Sequence, residues 1–307
     1  MLSRSKYLRI SLTNRCNLSC FYCHKEGNLG NESSDLTSDE VIKTCKIALE
    51  FGFKKFKLTG GEPTLNSDIL EIVAGISELN VPDLSMITNG TLLPKMAKPL
   101  WDAGLRRMNI TMNTLNQDRF RKIQRSYKNS VLSVMKGIDV AQEVGFKNIK
   151  LNFVFFDDNS ERDLDELLDY CARNNLTLVI LPVISDSTHY SLNYIYQLMI
   201  KRGISEESQF SDAEGIQKKL IISKYGAHVI LRVDELSDLH PYSFCQDCTH
   251  QRVCREGIFP IRLSAQRELI PCMASSTHRV SIKHLLQTND MDGLRQVFSE
   301  IESWYCV

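Results

Sequence analysis

From residue 7 to residue 182 the chain alternates short β-branched, apolar runs with longer amphipathic stretches, six times over. The short runs are 7–13, 55–59, 84–88, 107–112, 149–155 and 176–182. Between them lie helical candidates at 38–51, 68–79, 94–103, a stretch ending near Val144, and 161–174. Ser38 is the expected cap of the first helix, with Asp39 and Glu40 in its first turn. Each connection has the length of one right-handed crossover, so the strands should be parallel. The expected fold is α/β: a partial (β/α)6 parallel barrel with outer helices and a C-terminal cysteine-rich hairpin extension. In such barrels chemistry gathers at the C-terminal ends of the strands.

The first run leads straight into Cys16-Asn17-Leu18-Ser19-Cys20-Phe21-Tyr22-Cys23. Thiolates this closely spaced on one loop can converge on a single metal centre. A [4Fe–4S] cluster is usually held by four cysteines. Here the loop has three, and the next, Cys45, falls within a helical stretch. Three thiolates leave one iron open to a substrate or cofactor. The competing readings are unrelated thiols or a zinc knuckle, for which His24 is a poor fourth ligand.

Three more polar groups fall at strand ends. Gly60-Gly61-Glu62-Pro63 follows the second strand; its glycines let the backbone approach a ligand, and Glu62 adds an acceptor. Thr88-Asn89-Gly90 and Thr111-Met112-Asn113 end the third and fourth, where hydroxyls and amides suit ribose and carboxylate groups. In isolation, ordinary turn chemistry is the more frequent explanation of each. Asn152 lies mid-strand and is a candidate for pointing inward, while Cys45 and Cys171 read as small core residues.

A second cysteine set occupies the C-terminal part: Cys245, Cys248 and Cys254, then Cys272 after a hairpin of 258–263 and 268–270 turned at 265–267. Four thiolates make a complete site, and on spacing alone a structural zinc leads. Between the two sets, residues 185–225 break the rhythm with a Ser/Asp/Thr-rich loop, an apolar-periodic stretch and a polar Glu/Ser segment. They read as a linker and helices across the barrel mouth, where Tyr190, Tyr194 and Tyr196 either line a substrate or pack as core. The expected domains are a barrel core at 1–184, this crossing segment at 185–240, and the cysteine-rich extension at 241–307.

The formal net charge is zero and no block of like charges stands out, which removes electrostatic support for a nucleic-acid or membrane-surface partner. No stretch has the length and apolarity of a membrane span or signal peptide. Ten cysteines in such a chain point to metal ligation in a reducing compartment, so the expected location is cytoplasmic.

The CxxxCxΦC spacing, with Tyr22 as the aromatic, resembles the signature of the radical S-adenosylmethionine (SAM) superfamily. That resemblance implies a [4Fe–4S] cluster on Cys16, Cys20 and Cys23 whose open iron takes the amino and carboxylate groups of SAM. Reductive cleavage of SAM then gives a 5′-deoxyadenosyl radical that abstracts hydrogen from substrate. Gly60, Gly61 and Glu62 match the family's GGEP motif, which holds the SAM amino group. Tyr22, Thr88, Asn89, Thr111 and Asn113 are carried to the SAM site by the same resemblance.

Within the superfamily, residues 8–23, 55–63 and 103–107 look like the GTP 3′,8-cyclases of molybdenum-cofactor biosynthesis. Arg262-Leu263-Ser264 looks like the hairpin of their auxiliary cluster. The resemblance implies substrate-side roles for Arg9, Lys55, Lys150 and Arg262. It also turns the second cysteine set (Cys245, Cys248, Cys254, Cys272) from zinc toward a second [4Fe–4S] cluster. Three features depart from the cyclases. Pro260 and Val179 stand where they carry arginines, the extension has four cysteines in place of three, and the ending Ser303-Trp304-Tyr305-Cys306-Val307 lacks their Gly-Gly tail.

The leading expectation is therefore a radical SAM enzyme acting on a small or nucleotide-like substrate, fed by an electron donor such as flavodoxin or ferredoxin. A peptide-modifying maturase is the alternative, since the Cys245–Cys254 spacing resembles the start of the SPASM extension. GTP cyclisation and a non-catalytic metal-binding scaffold complete the set.

Overall fold

The computed structural model describes residues 6–25, 34–183, 191–212, 215–222, 224–232, 245, 260–272 and 278–303. Its first part alternates as the sequence pattern requires. Strands β1 (Lys6–Ser11), β2 (Phe53–Thr59), β3 (Asp83–Thr88), β4 (Arg107–Thr111), β5 (Asn148–Phe155) and β6 (Thr177–Pro182) pair side by side in chain order, all parallel. Helices α1 (Ser38–Glu50), α2 (Ile69–Glu78), α3 (Leu93–Asp102), α4 (Gln117–Gln124), α5 (Val131–Val144) and α6 (Ser160–Arg173) connect them. This is the strand order of a partial barrel.

Local chemistry fixes the helix ends. The cap of α1 is Thr37, one residue before the expected Ser38: its hydroxyl accepts from Glu40 N while Glu40 Oε2 accepts from Thr37 N at 2.9 Å. Helix α5 stops at Gly145, whose φ of +118° puts it in the left-handed region. The helical stretch before it is split in two, because Arg125 takes a left-handed φ of +47° and ends α4.

Alternation along the strands gives the sheet two different faces. Leu8, Ile10, Phe56, Leu58, Met108 and Ile110 are fully buried in the apolar core. The intervening residues on the other face include Arg9, Lys55, Lys57, Ser85, Asn109 and Lys150. A parallel sheet normally reads apolar on both faces. Here the inner face is polar, which marks it as the face with a purpose.

Beyond β6 the structure departs from the expected crossing helices. Helix α7 (Leu192–Lys201) is present, but the polar stretch after it forms β7 (Ile204–Asp212), paired antiparallel with β8 (Gly215–Ile222). Then β9 (Ala227–Arg232) runs parallel to β6 and antiparallel to β8. The reason lies at the β6 edge, whose open backbone groups take β9 as a partner. Tyr194 and Tyr196 sit on α7; Tyr190 lies outside the described residues.

At the other edge β10 (Pro260–Leu263) pairs parallel with β1, followed by β11 (Glu268–Ile270) and β12 (Val280–Ser281), both antiparallel. The expected hairpin is thus present over 260–263 and 268–270, attached directly to the first strand; residues 258 and 259 lie outside the described residues. Arg267 in its turn locks it down, donating from Nε to Glu40 Oε1 at 2.9 Å and from Nη2 to Asp35 O at 2.7 Å. After α8 (Lys283–Gln287), helix α9 (Met291–Ser303) lays Phe298 against Phe51 and Phe53.

Candidate active site

The segment after β1 carries Cys16, Cys20 and Cys23 across the C-terminal ends of the neighbouring strands. Its backbone is pinned by close approach. Gly61 N donates to Thr13 O at 2.7 Å and Glu62 N to Arg15 O at 2.8 Å. A Cβ on Gly61 would lie 2.1 Å from Arg15 O, and one on Gly60 2.5 Å from Thr13 O. The two glycines are needed, then, because the turn after β2 packs on the chain's own backbone. That is a different close approach from the ligand contact the sequence suggested.

Glu62 is buried, and burial pushes its carboxyl above the usual range against the bonds it accepts. Oε1 accepts from Thr64 Oγ1 at 2.6 Å and Thr88 Oγ1 at 2.7 Å, and Oε2 from Asn89 N at 2.7 Å. The residue is a strut joining the ends of β2 and β3. From there Asn89 reaches the cysteine segment: its Nδ2 donates to Asn17 Oδ1 at 2.8 Å and lies 3.9 Å from Cys16 Sγ. Asn17 in turn donates to Thr91 Oγ1 at 2.8 Å.

Asn113 does the corresponding work between β4 and β5. Its Nδ2 donates to Tyr22 OH at 2.5 Å, and its Oδ1 accepts from Val154 N at 2.8 Å. Tyr22 stacks on Phe156, ring centroids 5.8 Å apart, with Phe21 edge-on to both. Thr111, the last residue of β4, is half-buried and in register with Asn152. All the candidate cofactor contacts therefore gather at the C-terminal ends of β1 to β4. Most of their polar side-chain atoms bond to one another.

The chemistry of the donor set fits an iron–sulfur cluster. None of the three cysteines is in a disulfide. Cys20 is the best shielded: burial pushes its thiol up to about 12, helped by repulsion from Cys23 and Cys16. Cys16 is raised for the same reasons, burial first. Cys20 Sγ donates to the Oε1 of Gln124, the last residue of α4. Among the described residues no three His, Cys, Asp or Glu side chains stand ready as a metal cage. The thiols share one loop and one another's field, and binding would have to displace their protons.

The candidate substrate residues line the inner face below this end. Arg9 is in register with Arg262 on one side and Lys57 on the other, and Lys57 with Ser85. Lys55 lies two residues before Lys57 on the same face, while Lys150 is in register with Asn109. Neighbouring strands are about 4.8 Å apart, so the backbones at Arg262, Arg9 and Lys57 each stand one strand spacing from the next. Lys57 went unrecognised in the sequence, although its place two residues after Lys55 was a usable signal. Gln124 and Phe156 had none, because only the tertiary fold brings them to the cysteines.

The second cysteine set is described only in part. Cys245 and Cys272 are half-buried; Cys248 and Cys254 lie outside the described residues. Since β11 runs opposite to β10, Cys272 follows the strand end remote from Cys16. Cys272 is thus about a strand length from the cysteine loop, roughly 15–20 Å. Arg9, Lys57 and Arg262 lie between.

Comparison with known proteins agrees with this geometry. Residues 10–171 match the model of the radical SAM superfamily. A probable GTP 3′,8-cyclase of Methanococcus maripaludis is 35% identical over 81% of this chain and 82% of its own length. One of Methanothermobacter marburgensis is 31% identical over 95% of this chain and 92% of its own. Among solved structures, Streptococcus suis SuiB bound to S-adenosylmethionine superposes with a TM-score of 0.65, covering 97% of this chain and 68% of SuiB at 16% identity. Native anSMEcpe with bound AdoMet gives 0.61 over 94% and 82%, again at 16% identity. At that identity the likeness is one of fold.

Proposed function

Because the chain belongs to the radical SAM superfamily, we propose that it abstracts hydrogen from a phosphorylated, nucleotide-like substrate held on its cationic inner face. A [4Fe–4S] cluster at Cys16, Cys20 and Cys23, given SAM and one electron, supplies a carbon radical for that step. The chain's own residues do the rest. Tyr22, Gly60, Gly61, Glu62, Thr88, Asn89, Thr111 and Asn113 frame the SAM side of the site. Glu62 and Asn113 act mainly by fixing the strand ends against the cysteine loop. Arg9, Lys55, Lys57, Lys150 and Arg262 bind and orient the substrate.

The observation that carries this reading is the register of Arg9 between Arg262 and Lys57. That register gathers three basic residues from three neighbouring strands on one face, a set that suits a polyanionic ligand. The relatives named probable GTP 3′,8-cyclases make GTP the first substrate to test, notwithstanding Pro260 and Val179. Cys245, Cys248, Cys254 and Cys272 we assign to a second iron–sulfur cluster beyond the cationic row, at the other end of the substrate.

The test is an anaerobic assay with SAM, a strong reductant and GTP deuterated at C3′. Deuterium in the 5′-deoxyadenosine is the expected result. Undeuterated 5′-deoxyadenosine formed at the same rate without GTP would move the search to other phosphorylated substrates. No cleavage of SAM by cluster-loaded protein would sink the radical reading.

A further inference from the structure

Resting on that reading, we propose that the C-terminal turn of α4 is the docking face for an acidic one-electron carrier, a flavin or iron–sulfur protein. The turn has two sides. Its inner side is bonded to the cysteine loop. Ser19 N donates to Gln124 O at 2.9 Å, Phe21 N to Ile123 O at 3.3 Å, and Cys20 Sγ to the Gln124 side chain. Asn129 Nδ2 closes the contact on Asn17 O at 3.1 Å. The last carbonyls of a helix have no partner within it, and here the cysteine loop supplies one. Ile123, Gln124 and Ser126 are accordingly buried.

The outer side is cationic. Arg121, Lys122, Arg125 and Lys128 are all exposed within eight residues, in a chain whose charges sum to zero. Arg121 is shared with Asp118, but among the described residues no ion pair holds Lys122, Arg125 or Lys128. The even spread of charge expected from the sequence therefore fails at this turn. Two large apolar side chains flank it: Tyr127 is 86% exposed and Phe21, inside the cysteine motif, 47%. Charged groups around an aromatic anchor are what a transient electrostatic interface needs. Arg125 holds its left-handed φ of +47° at the centre, a conformation disfavoured for a side chain of its size.

Position argues for the occupant. The backbone bond from Ser19 N to Gln124 O joins the residue before Cys20 to the residue before the exposed Arg125, so a carrier seated here meets a short bonded route to that ligand. One electron leaves the carrier, for a flavodoxin converting the hydroquinone anion to the neutral semiquinone. It enters the cluster, which is reduced by one, and no proton has to cross.

The test uses the cluster-loaded enzyme and the triple variant Lys122→Glu, Arg125→Glu, Lys128→Glu. Cluster reduction is followed by loss of visible absorbance, with reduced flavodoxin, reduced ferredoxin or photoreduced deazaflavin as donor. The expected result is reduction by the acidic proteins slowed roughly ten- to hundredfold, with the salt dependence flattened and the deazaflavin rate unchanged. A milder variant, Lys122→Gln with Lys128→Gln, should show a smaller loss and guards against a folding effect at Arg125. Wild-type rates and salt dependence in both variants would overturn the docking face, as would equal slowing with deazaflavin. Failure of deazaflavin to drive SAM cleavage in the wild type would instead overturn the radical reading beneath it.

Discussion

The two cysteine regions are tied to the same sheet by different means. The first loop is held at every few residues: Gly61 and Glu62 on its leading strand, Asn89 at Asn17, Gln124 at Ser19 and Cys20, Asn113 at Tyr22. Among the described residues the second region joins through a short parallel pairing, β10 on β1, the Arg267 clamp on Glu40 and Asp35, and helix α9 packed on Phe51 and Phe53. Many short contacts suit a loop that must aim three sulfurs. A strand and a clamp suit an element that must bring Arg262 beside Arg9. Under the proposed function, the contrast fits radical generation at the first region and substrate placement at the second.

The sharpest way to break that contrast is to remove one ligand from each region. Cys20→Ala should abolish reductive SAM cleavage, whereas Cys272→Ala should retain it while losing turnover of substrate; product analysis by mass spectrometry distinguishes them. Equal loss in both would erase the division of labour.

A smaller effect is expected on the face between the regions. Arg9→Ala or Lys57→Ala should each lower kcat/KM by roughly ten- to hundredfold, since a charge-assisted bond contributes about 1.5–3 kcal/mol. SAM cleavage without substrate should be unaffected. If instead both variants lose that uncoupled cleavage, these cations serve the cofactor.

The anchoring of the loop comes next. Gly61→Ala drives a methyl into Arg15 O and should cost about 1–3 kcal/mol, read as a lowered denaturation midpoint. Iron content should fall with it. Arg267→Met tests the other attachment and should cost about 1–2 kcal/mol, since both it and Glu40 are largely shielded.

The last effect is a pH dependence of that clamp. Burial works against the Glu40 carboxylate, but bonds from Arg267 and Thr37 outweigh it and hold its pKa below the ordinary value. A depressed carboxylate contributes stability above its unfolded pKa, about 4.3, and loses it as pH falls through the folded value. The stability gap between wild type and Arg267→Met should therefore be full at neutral pH and close in acid. A gap that stays constant would mean Arg267 acts through its neutral contacts, Ser34 and Asp35 O.

Much of this was legible in the chain itself. The six-fold alternation placed every strand of the first part, and every helix but the split pair α4 and α5, within a residue or two, because amphipathic periodicity is a local property. The three cysteines, the glycine pair and the strand-end amides were visible for the same reason. The polar stretch after α7 misled, since its strand character depends on an edge supplied by β6. Gln124 and Lys57 were not singled out, and of these only Lys57 had a local signal.

What the sequence determined alone was the order of elements through β6 and the superfamily. Spacing along a chain is enough to encode both. The tertiary structure decided which charges stand together. It set Arg262 beside Arg9, more than two hundred residues away, and turned Gln124 inward with Arg125 outward. Those neighbours follow from strand register and helix docking, which the packing of the whole core selects and no short segment carries.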